Sequence, residues 1–133
     1  MTPEELQAAF PTVDPGVKPL GSRILIQIRS PETKSKGGII LTDADKDTQY
    51  WNTTVARIVA IGPLAFRNRN TQELWPEGEW CRVGDFVRAP RYGGDRWKHT
   101  DPTTGETGYF CLINDLDVLA AITTDPLEIK AFI

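Results

Sequence analysis

The sequence predicts a small all-β domain, an irregular barrel carrying two long loops. Three observations lead there. The chain holds 11 Gly and 10 Pro among 133 residues, so turn-forming residues cut it into short pieces. Its clearest apolar repeat has the period of a strand: Ile24, Ile26 and Ile28 alternate with Leu25, Gln27 and Arg29. Its length suits one ordinary domain and leaves no room for two well-packed ones.

Composition narrows the class further. With 40% hydrophobic and 25% charged residues and a net charge of -3, neither a disordered nor a fibrous chain fits. The longest wholly apolar run is Val118 to Ile122, too short to span a membrane as a helix. The first residues, Met1 to Glu5, lack the basic and apolar regions of a signal peptide, so a cytoplasmic protein is expected.

Taken in order, Thr2-Pro3-Glu4-Glu5 is a capping-box pattern that starts a short helix from Pro3 to about Ala9. Phe10 to Gly16, with two prolines and a glycine, reads as a linker. Strands are expected from Arg23, over Thr53 to Ile61, and over Val118 to Ile122, and Val83 to Val87 turns into another that ends at Pro90. A hairpin around Asp101 to Gly105 joins two more, Asp95 to His99 and Tyr109 to Ile113. The first long loop covers about 30–52 and the second about 66–82, with turns at Asn68-Arg69-Asn70 and Pro76-Glu77-Gly78. Asp125-Pro126-Leu127-Glu128 repeats the capping logic near the end.

Catalytic and metal chemistry find little support. Asp43, Asp45 and Asp47 have the spacing that opens an EF-hand loop, but Thr48 and Thr54 stand where Gly and Glu are needed. Cys81, Cys111 and His99 are too scattered for a zinc site. No nucleotide-cradling glycine motif and no nucleophile motif occurs. No enzyme, cofactor or metal is expected. A nucleic-acid reading rests on Arg82 to His99, where five cations face two carboxylates with Tyr92 and Trp97 interleaved. The acidic whole speaks against it, and a nucleic-acid partner is not expected.

The 30–52 segment is the most informative. Ile39-Ile40-Leu41 sits among Lys34, Lys36, Asp43, Asp45 and Asp47, behind Gly37-Gly38. An apolar tripeptide on such a tether suits a partner's groove, or else an arm that packs on its own barrel.

Here the sequence resembles the GroES co-chaperonin family. Lys18-Pro19-Leu20-Gly21-Ser22-Arg23-Ile24-Leu25-Ile26 is similar to the family's K-P-L-x-D-R-V-x-V, with Ser22 in place of its Asp. Glu32 to Leu41, ETKSKGGIIL, resembles the mobile loop E-T-K-S-x-G-G-I-V-L. Val55 to Gly62, Val83 to Val87 and Asp115 to Ala120 resemble the G-x-V-x-A-V-G, V-G-D-x-V and S-D-I-L-A segments. The likeness covers residues 17–123, leaving extensions at 1–16 and 124–133. Longer insertions than in the bacterial protein resemble the co-chaperonins of large tailed phages.

The resemblance implies a GroES-like barrel with a mobile loop at about 30–52 and a roof hairpin at about 66–82. It implies a homo-heptamer that caps a GroEL-type chaperonin and encloses a client, such as a phage capsid protein, while the partner hydrolyses ATP. Ile39, Ile40 and Leu41 would dock on that partner, with Gly37 and Gly38 permitting the turn. The strands at Arg23 to Arg29 and Val118 to Ile122 would be edges joining neighbouring subunits. For a phage-encoded member the compartment is the host bacterial cytoplasm. The alternatives are a single-stranded nucleic-acid-binding barrel and a phage structural protein.

Overall fold

The computed structural model describes residues 2–30, 42, 53–90 and 94–127. Its strands are β1 (Arg23–Ile28), β2 (Val55–Ile61), β3 (Phe86–Arg88), β4 (Asp95–Thr100), β5 (Thr107–Asn114) and β6 (Ala120–Ala121). All pair antiparallel in one sheet of order β4-β5-β1-β2-β3-β6. A short helix, α1 (Pro3–Ala9), precedes them, and a 3-10 turn at Asp115–Asp117 follows β5. The chain is therefore all-β, as its period-two pattern predicts.

Helix α1 begins where the capping box places it. Thr2 Oγ1 accepts the Glu5 amide at 3.1 Å, and Glu5 returns a carboxylate oxygen to the Thr2 amide at 3.4 Å. The helix ends at Phe10, whose N–H reaches the Leu6 carbonyl.

The position of β1 corrects the expectation that Arg23 to Arg29 is a sheet edge. It lies between β5 and β2, with Ile26 opposite both Cys111 and Ile58. Its backbone donors and acceptors are thus engaged on both sides, and the ends of the sheet fall to β4 and β6.

Both faces of β1 are buried. Ile24, Ile26 and Ile28 face the main core with Ile58, Phe66, Val87, Cys111, Ile113 and Val118. Full burial of each such isoleucine contributes about 1.5–3 kcal/mol. On the other face, Leu25 packs with Phe110 and Val13. Gln27, 2% exposed, donates its amide to the Pro11 carbonyl at 2.7 Å. The stretch read as a linker is a cover for the outer face: Phe10 and Val13 are its buried anchors.

Other elements differ in extent. The strand expected to follow the Val83-Gly84-Asp85 turn and end at Pro90 starts at Phe86 and ends at Arg88. In the turn the Asp85 carboxylate accepts the Arg82 amide at 2.9 Å and Gly84 N–H reaches the Ile58 carbonyl. The strand expected over Val118 to Ile122 shrinks to two residues on β3, since Val118 turns into the core instead. The Asp101 to Gly105 turn forms, and its hairpin runs longer than the apolar pattern suggests, pairing Asp95 to Thr100 with Thr107 to Leu112.

Candidate functional site

The five residues singled out in the sequence, Gly37, Gly38, Ile39, Ile40 and Leu41, lie outside the described residues, as does most of the 30–52 segment. What the structure supplies is the root from which that segment leaves and to which it returns. Ile28 and Ala56 are register partners on neighbouring strands, and Arg29 N–H reaches the Val55 carbonyl at 3.0 Å. The two stems are therefore about 5 Å apart, the spacing of an antiparallel pair.

The root is held from several directions. Ser30 N–H donates to the carbonyl of Ala9, the last residue of α1, at 2.8 Å. On the return side Thr53 is 3% exposed, and Thr54 accepts from both the Ala89 amide and the Arg88 guanidinium. Phe10 and Val55 form a second core with Leu6, Ala9, Phe86, Ile122 and Leu127. Residues from both ends of the chain thus converge on the root.

Arg57 ties this cover down. Its Nη2 donates to the Phe10 carbonyl at 3.1 Å and to Gln27 Oε1 at 2.9 Å, while its guanidinium lies 5.5 Å from the Phe10 ring centre. Burial pulls its pKa down from the ordinary arginine value. Nothing in the Pro/Gly-rich stretch marks these contacts except the apolar pair Phe10 and Val13.

The second excursion, 66–82, is described. An Arg67–Leu74 bridge makes a narrow hairpin whose tip is ordered by Asn68: its side-chain oxygen accepts the Asn70 and Thr71 amides, and its own N–H reaches the Glu73 carbonyl. Phe66, Trp75, Trp80 and Cys81 anchor the stems in or against the main core. Phe66 sits in left-handed backbone at φ 62°, a conformation costly for an aromatic residue. The buried Asp115 holds it there by accepting the Phe66 amide at 2.8 Å. Sequence alone gave no reason to separate Asp115 from the neighbouring surface acids.

The residues of the nucleic-acid reading do not form a stacking platform among the described residues. Trp97 packs on Phe110, ring centres 5.9 Å apart, and donates its indole N–H to the Pro15 carbonyl. Arg96 reaches the Pro90 carbonyl, and His99 donates Nδ1–H to the Asp14 carbonyl at 2.7 Å. Arg91 and Tyr92 lie outside the described residues.

Cys81 and Cys111 are both buried and are not joined in a disulfide. Burial pushes each thiol up to about 11, with Asp85 and Glu79 adding to the rise at Cys81. Such thiols are poor nucleophiles and poor ligands. Among the described residues no group of His, Cys, Asp and Glu could hold a metal ion, and no helix is long and apolar enough to cross a membrane.

The described residues thus form one small antiparallel sheet that fixes both stems of the 30–52 segment on adjacent strands and anchors the 66–82 hairpin in its core. The family model of the chaperonin 10 kDa subunit matches residues 16–122, and the chain belongs to that family. Its role is that of a co-chaperonin, the partner of a GroEL-type chaperonin.

Proposed function

We propose that seven copies form a ring that caps a GroEL-type chaperonin and encloses a folding client while the partner hydrolyses ATP. Ile39, Ile40 and Leu41 dock in an apolar groove of the partner, and Gly37 and Gly38 permit the backbone turn that presents them. The 66–82 hairpin roofs the chamber. Its supporting observation is the rooted 30–52 segment: both stems are pinned on adjacent strands, so an apolar tripeptide is carried on a tether with fixed ends.

Subunit contacts fall to the free edges of the sheet. Leu116 and Leu119 are 55% and 66% exposed beside β6, where a neighbouring copy would cover them. A single tripeptide binds weakly because docking orders its loop. Seven linked loops raise avidity by roughly 10²–10⁴ over one, which suits a reversible cap. Covalent geometry lets Ile40 lie at most ~35 Å from Ser30, so a long tether allows a deep chamber. The long insertions favour a phage-encoded member with a bulky client such as a capsid protein.

The test is capture by an immobilised GroEL-type chaperonin with and without ATP. Wild type should be retained in a nucleotide-dependent way, while Ile40→Glu, which buries an unpaired carboxylate, should lose retention and keep its ring. Equal capture of both proteins refutes the docking assignment. Capture of neither, with steep salt-sensitive binding to single strands, favours the nucleic-acid alternative.

A further inference from the structure

We propose that a cleft between the turn before β1 and the Arg67–Leu74 hairpin is a binding site for a phosphate-class oxyanion. The cleft has a volume of about 300 Å³, at the lower end for small-ligand sites. Arg23, Arg67 and Arg69 all line it, together with Ser22, Asn68 and Asn114, and among the described residues no carboxylate does.

Among the described residues, none of these three cations is joined in an ion pair. Asp115 and Asp117, which follow the lining residue Asn114, are already committed: Asp115 accepts the Phe66 and Leu116 amides, and Asp117 accepts the Asn114 amide. Glu73, on the same hairpin, is not among the lining residues.

The arginines are also held in place without being used up. Arg69 Nη2 donates to Ser22 Oγ at 3.1 Å, bridging the hairpin to the β1 turn. Arg67 Nη1 donates to the Gln72 carbonyl at 3.0 Å. Each guanidinium carries five N–H donors, so most of each fork is left for a ligand. Asn68 spends its side-chain oxygen on the loop amides, which leaves its NH₂ as a further donor. The lining therefore offers donors and positive charge, the chemistry that recognises a multiply charged tetrahedral anion bidentately.

Ser22 tunes the site. The motif that this segment resembles carries Asp there, and a carboxylate in contact with Arg69 would offset one of the three positive charges and occupy that guanidinium. With serine the hydrogen bond is kept and the charge is released.

Calorimetric titration of the intact protein with inorganic phosphate, at constant ionic strength, tests this. Saturable binding of one phosphate per chain is expected, weakened by added salt. Arg67→Gln and Arg69→Gln should each weaken it by roughly tenfold, the loss of a charge-assisted hydrogen bond. Ser22→Asp should weaken it at least as much, and Ser22→Ala should retain it. Parallel titrations with pyrophosphate and ATP distinguish the source: tighter binding than phosphate assigns the site to a phosphoryl chain, and weaker binding assigns it to the free ion. No saturation at millimolar phosphate overturns the proposal, as does undiminished binding by Arg69→Gln with its circular dichroism unchanged.

Discussion

Removing the Phe10 side chain probes how the ends of the chain support the root of the 30–52 segment. Phe10 is 1% exposed, packs on Val55, and lies 5.2 Å from Phe86 between ring centres. Phe→Ala in a core costs about 3–5 kcal/mol, of which an aromatic pair accounts for about 0.5–1.5. The second core is small and partly open, with Leu6, Ala9 and Leu127 only half buried, so it can relax. We therefore expect the lower end, about 3 kcal/mol. For a domain of this size that lowers Tm by roughly 12 °C. Urea unfolding followed by circular dichroism, at one fixed protein concentration, measures it. Hydrogen exchange supplies the local readout. The amide of Ser30, which donates to Ala9, should lose protection more than that of Ile26 in the sheet centre. A loss below about 1 kcal/mol would show that residues 1–16 merely lie on the surface. Equal loss of protection at both amides would show that Phe10 supports the whole sheet rather than the root.

Three further outcomes are expected. Asp115→Ala removes the acceptor of the Phe66 and Leu116 amides, leaving Phe66 in left-handed backbone without its tie; denaturant unfolding should show a loss of about 2–3 kcal/mol. Cys81 and Cys111 should resist a thiol reagent at pH 8 in the folded protein and react once urea unfolds it, as followed by mass spectrometry. Because folding raises both thiols from the ordinary value of 9.0 to about 11, their contribution to stability is fully present below pH 9 and is lost as pH rises toward 11. A melting temperature flat across that window would contradict the burial of these groups.

Local chemistry was legible wherever one segment carried its whole signal. Thr2 to Glu5 announced its helix because every partner of the capping box lies within four residues. The hairpin around Asp101 to Gly105 was readable because Asp101 and Gly105 close their own turn. The apolar tripeptide Ile39-Ile40-Leu41 stood out against its charged neighbours, and the motif resemblance agrees with the family found. Long-range chemistry was not legible. Phe10 and Val13 looked like linker residues since the surfaces they cover, Val55 and Leu25, lie far along the chain. Ile24, Ile26 and Ile28 alternated as an edge or a centre strand would; pairing on both sides comes from β5 and β2.

The sequence by itself determined an all-β domain, its family, and the segment that carries the apolar tripeptide, since period, turn residues and motifs are properties of neighbouring residues. Tertiary structure alone decided that β1 is central, that both chain ends converge on the root of the 30–52 segment, and that Ser22, Arg67 and Arg69 share a cleft. Those facts depend on which distant strands and turns meet. No local propensity encodes such a meeting; burial of apolar surface and the satisfaction of buried polar groups select it.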